Sequence, residues 1–246
     1  MPARIPRIST RGFYDLATGR TLKKKPYDLY PKNFFENLGR YPELTIVVHG
    51  MRNNKQGALE KFKIAQRRLR KLGYKYPIIG FSYDSNVKGI QYKTYEFKAT
   101  MVGKAIARKN SENLAKFILN FKKNNPKTRI RLIGHSLGTE VILHVLSKLR
   151  HRKNIVESAH FFGSSVGSAH IKKLGKSIQN ALAWRLCNYY NPHDEILKHA
   201  HENRMVEKPI GYVGIQNNVF PKYTQKRVFA KNHRFSSYSV TMTSFP

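Results

Sequence analysis

Apolar residues along the chain form two kinds of pattern, continuous runs and helical stripes. Residues 44–49 read LTIVVH, a continuous, largely β-branched run that is typical of a strand buried on both faces. Comparable runs at 77–83, 129–133, 155–163 and 183–190 predict further strands. Between them, apolar residues recur every three or four positions, which predicts amphipathic helices. Strands that alternate with helices predict an α/β fold, a mostly parallel central sheet with helices on both faces.

Three helical stripes are clear, over 58–72, 114–121 and 138–150, and a less regular helix is expected over 92–108. The stretch between the second and third predicted strands is longer than a simple crossover needs. We therefore expect residues 84–110 to form an excursion that acts as a cap.

Residues 1–40 do not follow the alternation. Four prolines interrupt any long element there, namely Pro2, Pro6, Pro26 and Pro31. We expect 1–40 to be an irregular, basic N-terminal extension and 41–246 to fold as one domain.

The composition of the 246 residues suits a packed globular core, with 40% hydrophobic and 12% aromatic residues. The sequence contains no run of 18 apolar residues, so no membrane-spanning helix is predicted. Met1–Thr10 lacks the apolar stretch of a secretory signal, so we expect a cytoplasmic or virion-associated protein. The single cysteine, Cys187, excludes a disulfide framework and a four-cysteine zinc site.

The net charge of +32 arises from 46 lysines and arginines against 14 acidic residues. Such a charge predicts attraction to polyanions, either nucleic acid or an anionic membrane, without sequence preference. The densest segment, 52–75, holds nine basic residues and one acidic residue, Glu60. A surface adapted to an unusual cellular or virion environment explains the charge equally well.

A G-x-S-x-G motif lies at Gly134-His135-Ser136-Leu137-Gly138, directly after a predicted strand and directly before an amphipathic helix. That context is typical of a nucleophile elbow, a tight turn that holds the serine in a strained conformation above the carboxyl end of the sheet. Glycines are needed at 134 and 138 because larger side chains would clash across the turn. Ser136 is therefore the candidate nucleophile.

Three segments together resemble the α/β-hydrolase superfamily, and within it the serine esterases and lipase-like enzymes. They are TIVVHGMRNN at 45–54, RLIGHSLGTEVILHVL at 131–146 and LCNYYNPHDEIL at 186–197. The resemblance extends over about residues 40–240. It implies an α/β-hydrolase fold and cleavage of a small-molecule or lipid ester through an acyl-enzyme, with neither a metal nor an organic cofactor. From its length and its aromatic residues, we also expect the 84–110 cap to cover the mouth of the site.

The resemblance further implies an oxyanion hole formed by the backbone N–H groups of Met51 and Leu137. Met51 follows a His-Gly pair at the end of the first predicted strand, and Leu137 follows the nucleophile. Two preorganised donors there would stabilise the tetrahedral intermediate. His49 is expected to shape this loop rather than to act as a base.

The acid should follow the nucleophile, because the chain order in this superfamily is serine, acid, histidine. Asp194 is the one aspartate of four that lies downstream of Ser136. It follows a predicted strand at the end where catalytic loops emerge, with Glu195 as the substitute candidate. A competing interpretation is that Asp194 only caps the helix that begins at Glu195.

The base should follow the acid, which leaves His199, His201 and His233. His199 and His201 lie so close to Asp194 along the chain that Asp194 could not orient them from behind while they reach Ser136. His233 lies in a loop after the last apolar segment and is the candidate base. The spacing of His199, His201 and Glu202 lacks the H-E-x-x-H pattern of a zinc enzyme, so no metal site is predicted.

A second function class remains open from the sequence. The chain could be a catalytically silent hydrolase-fold protein that serves as a basic nucleic-acid-binding or structural component, for example in a virion. The charge favours this alternative, and the serine, aspartate and histidine set favours the enzyme.

Overall fold

The computed structural model describes residues 5–216 and 219–246. These residues form an eight-stranded sheet in the order β2-β1-β4-β3-β5-β6-β7-β8. Every neighbouring pair is parallel except β1 and β2. The strands are β1 Arg7–Ser9, β2 Asp28–Tyr30, β3 Glu43–Val48, β4 Ile78–Ser82, β5 Arg129–His135, β6 Ser158–Phe162, β7 Leu186–Tyr190 and β8 Tyr223–Arg227.

Helices cover both faces of the sheet. They are α1 Lys32–Glu36, α2 Lys55–Lys71, α3 Lys93–Asn124, α4 Leu137–Lys148, α5 Ser168–Ile178, α6 Glu195–Glu202, α7 Ile210–Val213 and α8 Phe235–Ser239. On one face α2 and α8 pack together over β4 and β6, and on the other α4 packs between α3 and α5. The central strands are therefore buried on both sides, and all six residues of β3 are buried. No described helix has the length and apolar character needed to cross a membrane.

An irregular extension was expected over 1–40, and residues 5–40, the part that the structure describes, instead contribute two strands to the sheet. Strand β1 pairs in parallel with β4, with Ile8 opposite Phe81, and β2 adds the outer antiparallel strand. Just after β1, three successive backbone N–H groups, those of Gly12, Phe13 and Tyr14, donate hydrogen bonds to the side chain of Asp84. The first strands are only three residues long, so they carry no periodicity that a sequence pattern can reveal.

Helix α3 is one continuous helix of 32 residues, where two separate helices were expected. The stripe breaks in its middle because polar residues occupy buried positions there. Asn110 accepts a hydrogen bond from Thr10 at 2.5 Å, and Asn113 donates one to the hydroxyl of Tyr14 at 2.7 Å. These asparagines connect the N-terminal segment to the core. Because they are polar residues at buried positions, they interrupt the apolar periodicity by which a long helix would be predicted.

Candidate active site

Strand β5 ends at His135 and α4 begins at Leu137, so Ser136 alone forms the turn. Its backbone lies at φ 52° and ψ −125°, a strained conformation for a residue with a Cβ. The turn is tight because α4 approaches the end of β3, where a Cβ on Gly138 would overlap the carbonyls of Val48 and His49. The hydroxyl of Ser136 is thereby presented at the carboxyl end of the sheet.

The structure brings Ser136, His233 and Asp194 into one hydrogen-bonded chain. Nε2 of His233 lies 2.9 Å from Oγ of Ser136, and Nδ1 lies 2.7 Å from Oδ2 of Asp194. The three residues follow β5, β8 and β7, whose carboxyl ends meet at one edge of the sheet. Asp194 is fully buried, whereas Ser136 is partly exposed, so a reactant can reach the serine.

Asp194 contacts His233 and also caps α6, so its capping of the helix does not prevent its contact with the histidine. Its Oδ1 accepts the backbone N–H of Leu197 at 3.1 Å, and its Oδ2 accepts the hydroxyl of Tyr238 at 2.6 Å. Burial raises the pKa of the Asp194 carboxyl. The hydrogen bond and the charge of His233, together with the hydrogen bonds from Tyr238 and Leu197, outweigh burial. The pKa lies below its ordinary value, which keeps Asp194 ionised.

A hydrogen bond from His135 fixes the loop that carries His233. Nε2 of His135 donates to the backbone carbonyl of His233 at 2.7 Å. Burial, followed by the charge of His233, lowers the pKa of His135 to about 3, so this imidazole is neutral. Sequence reasoning did not single out His135 or Tyr238. The signal for His135 was its place inside the elbow motif, next to the nucleophile.

The expected oxyanion residues flank Ser136. Gly50 packs so closely that a Cβ there would lie 2.9 Å from Cβ of Ser136. Nδ2 of Asn53 donates to the carbonyls of Gly50 and Met51, at 3.0 and 2.7 Å, which fixes the loop. Leu137 is the first residue of α4, so its N–H has no acceptor within the helix.

His49 supports this loop from the core. Its Nε2 accepts the backbone N–H of Tyr83 at 3.2 Å, and its Nδ1 donates to the carbonyl of Gly50 at 2.8 Å. Burial, followed by the charge of Arg11, lowers the pKa of His49 to about 3. A neutral, buried imidazole with both nitrogens bonded suits a shaping role.

The alternative acid and bases lie elsewhere. Glu195 is exposed, and its carboxylate lies 4.0 Å from the ammonium of Lys198. His199 pairs with Glu96 of α3 at 3.0 Å, and His201 accepts the backbone N–H of Lys208 at 3.2 Å. Of the three candidate histidines, His233 is the one that reaches Ser136.

The N-terminal half of α3 borders the loop that carries Met51. A Cβ on Gly103 would overlap the end of the Met51 side chain and lie 3.6 Å from Leu137. Nearby, a cleft of about 280 Å³ is lined by residues that include Tyr92, Tyr95 and Lys98. A second cleft, of about 380 Å³, lies near Asn125, at the opposite end of the strands. The segment expected as a cap is thus a helix end beside the site.

The sheet, the helices on both of its faces and the strained serine between strand and helix define an α/β-hydrolase fold, as the sequence predicted. A family model described as a protein of unknown function (DUF726) matches residues 98–219. No curated protein matches the chain.

Several solved structures are similar to this chain. XC6422 from Xanthomonas campestris, described as an a/b serine hydrolase without lid, is 14% identical, with 81% of this chain and 76% of that chain covered at a TM-score of 0.44. TT1662 from Thermus thermophilus is 12% identical, with 79% and 83% covered at 0.46. Mouse alpha/beta hydrolase domain-containing protein 10 is 12% identical, with 77% and 81% covered at 0.39.

Proposed function

We propose that the protein is a serine hydrolase that cleaves carboxylic esters through an acyl-enzyme. The observation that carries the proposal is the position of the His233 ring, whose two nitrogens lie 2.9 Å from Ser136 Oγ and 2.7 Å from Asp194 Oδ2. A serine, a histidine and a buried carboxylate in this order are the elements of a catalytic triad.

In the first half-reaction, His233 takes the proton of the Ser136 hydroxyl as Oγ attacks the ester carbonyl. Nδ1 of His233 keeps its own proton, because it donates a hydrogen bond to the ionised Asp194, which fixes that tautomer. The imidazolium then protonates the leaving alcohol as the tetrahedral intermediate collapses. In the second half-reaction, His233 activates a water that hydrolyses the acyl-Ser136.

The negative charge on the tetrahedral oxygen would be stabilised by the backbone N–H groups of Met51 and Leu137. The N-terminus of α4 adds its positive dipole end at Leu137. A donor that is fixed before the reaction costs no reorganisation in the transition state, and the loss of one such donor lowers turnover by roughly 10²–10³-fold. The bonds from Asn53 and His49 to this loop supply that rigidity.

The ester is a small molecule or a lipid. Tyr92, Tyr95 and Phe97 are each more than half exposed on or next to the end of α3 that borders the oxyanion loop. Exposed aromatic rings beside a hydrolytic centre suit an apolar acyl chain.

The decisive test is labelling with a fluorophosphonate probe, which phosphonylates only an activated serine. The wild-type protein should be labelled on the peptide that contains Ser136, as read by mass spectrometry, and Ser136→Ala should not be labelled. Ser147→Ala, on the same helix, is the matched control and should label normally. Folded wild-type protein that takes no label would contradict the proposal.

A second candidate function, the binding of polyanions, is favoured by the net charge and by the outward face of α2. Arg67, Arg70 and Lys71 are exposed there within one helical turn. A silent hydrolase-fold protein would retain this binding without labelling at Ser136, so the probe separates the two functions.

A further inference from the structure

A cluster of two histidines and one glutamate lies on the helical layer, outside the triad. Glu140 and His144 occupy successive turns of α4, and His170 reaches them from α5. Oε2 of Glu140 lies 4.0 Å from Nε2 of His144 and 3.8 Å from Nδ1 of His170. One ligand atom from each residue lies within 4.8 Å of the other two.

The carboxylate of Glu140 is unusual because it is buried without a hydrogen bond. The residue is 6% exposed, and among the described residues none donates a hydrogen bond to it. Buried carboxylates are normally paired, hydrogen-bonded or bound to a metal. The histidine nitrogens, at 3.8 and 4.0 Å, are too far for hydrogen bonds, so the three groups converge without bonding to one another.

We propose that Glu140, His144 and His170 form a binding site for a divalent transition-metal ion, with zinc as the best fit. Two imidazole nitrogens and one carboxylate oxygen are a donor set that zinc takes, with the fourth position left to water. With zinc–ligand bonds of about 2.0–2.2 Å, ligand atoms in a tetrahedral site lie about 3.3 Å apart. Binding would draw the ligand atoms together to that value from the observed separations of up to 4.8 Å.

The site is reachable from solvent. The side chains of His144 and His170 are 19% and 37% exposed, whereas that of Glu140 is 9% exposed. The carboxylate thus forms the floor and the histidines form the rim. An ion can enter over the histidines and displace its water onto the open side.

Cations around the cluster affect its affinity. The ammonium of Lys104 lies near Glu140 but is directed at the carbonyl of Met205, 2.7 Å away. Arg108 lies near both histidines, Lys148 near His144 and Lys173 near His170. Their charge opposes a bound dication, so we expect weaker binding than in a four-cysteine structural site. The carboxylate of Glu140 still gives this cluster one negative ligand, which the cationic surface around it lacks.

A bound ion would join α4 to α5 one helical turn beyond the nucleophile, since Glu140 follows Ser136 by four residues. It would therefore raise thermal stability by mass action, as any ligand of the folded state does. This readout does not depend on hydrolytic activity.

The test is isothermal titration of metal-free protein with Zn²⁺, together with the visible absorption of the Co²⁺ form, whose intensity reports four- or five-coordination. Wild-type protein should bind one ion and melt at a higher temperature with it. His170→Ala and Glu140→Gln should each weaken the affinity by at least about tenfold, because the loss of even an outer partner of a ligand costs that much. His151→Ala, an exposed histidine just past α4, is the matched control.

His233→Ala separates this site from the triad and should keep full affinity for Zn²⁺. His170→Ala alters a partly exposed side chain, and circular dichroism verifies its fold before titration. His170→Asn provides a second variant with a polar side chain of similar size. Folded wild-type protein that binds no Zn²⁺, or Zn²⁺ affinity that survives in both His170 variants, would overturn the proposal.

Discussion

The hydroxyl oxygen of Tyr238 lies 2.6 Å from Oδ2 of Asp194, the same oxygen that accepts the hydrogen bond from Nδ1 of His233. Burial and the neighbouring carboxylate raise the pKa of Tyr238, so the hydroxyl stays protonated and always donates. Two donors on one oxygen fix the direction of the Asp194 carboxylate. Because Tyr238 lies on α8, the C-terminal segment takes part in aligning the site.

Tyr238→Phe should therefore lower both stability and ester turnover. The loss of a buried hydrogen bond to a charged acceptor should cost about 1.5–3 kcal/mol of unfolding free energy. Turnover should fall more than substrate affinity, since the carboxylate would be less firmly aligned. Urea titration and steady-state kinetics measure the two effects, with the exposed Tyr41→Phe as the control. Wild-type kcat in folded Tyr238→Phe would contradict an aligning role.

Asp194→Asn and His233→Ala should each reduce ester turnover by on the order of 10³- to 10⁴-fold while the fold is retained. Asparagine is a good helix cap, so Asp194→Asn should preserve the start of α6 while it disturbs the tautomer of His233. His199→Ala should leave most activity, because its ring pairs with Glu96 instead. A greater loss in His199→Ala than in His233→Ala would reverse the assignment of the base.

Gly50→Ala should reduce kcat by roughly 10²-fold. The new Cβ would lie 2.9 Å from Cβ of Ser136 and 3.0 Å from the carbonyl of His135, so the loop that carries Met51 must move away. A displacement of about 1 Å in a catalytic group is sufficient for such a loss. Gly73→Ala tests whether glycine loss alone is harmful, because its added Cβ meets no atom within 4 Å, although its φ of 83° also strains alanine. Unchanged kcat in Gly50→Ala would argue against this loop as the oxyanion hole.

Buried neutral histidines should make the protein sensitive to acid. Burial, followed by the charges of Arg131 and Arg185, lowers the pKa of His160 to about 3. In the unfolded chain the ring binds a proton below about pH 6.5, so protonation favours unfolding as the pH falls from 6.5 towards 3. His160 alone should cost roughly 2 kcal/mol of stability by pH 5.

His160→Gln should flatten this pH dependence, whatever its effect on stability at pH 7.5. Urea titrations at pH 7.5 and pH 5 measure the slope, and His151→Gln, at an exposed position, should keep the wild-type slope. An equally steep loss in His160→Gln would show that other groups, such as His49 and His135, account for the acid sensitivity.

DNA should be retained at low salt and released as salt rises, because counterion release drives such binding. Reversal of Arg67, Arg70 and Lys71 to glutamate should weaken it substantially. Arg68 is better left unchanged, since its guanidinium donates to the carbonyls of Val240 and Met242 and holds the C-terminal segment. DNA binding that does not weaken as salt rises would contradict the proposal that the positive charge serves to bind polyanions.

A control for this variant reverses three exposed lysines on α5, Lys172, Lys173 and Lys176, which changes the net charge equally on the other face of the sheet. If only total charge matters, the two triple variants should bind DNA equally. If α2 forms the surface that binds, the α2 variant should lose much more.

The sequence by itself determined the succession of strands and helices along the central part of the chain and the elbow around Ser136. It also singled out Asp194 and His233 as candidates, and the structure brings both to that serine. Strands buried on both faces must be apolar throughout, and a strand-to-helix turn this tight admits only glycine at 134 and 138. These constraints act over a few neighbouring residues, so they leave a pattern that can be found without coordinates.

The tertiary structure alone decided which side chains meet across the chain. The pairing of β1 with β4, the bonds from Asn110 and Asn113 to the N-terminal segment, and the contact of Tyr238 with Asp194 join residues 44 to 100 positions apart. The same holds for His170 beside Glu140. Such contacts depend on how helices and strands pack, and a single hydroxyl, amide or imidazole leaves no periodic signal along the sequence.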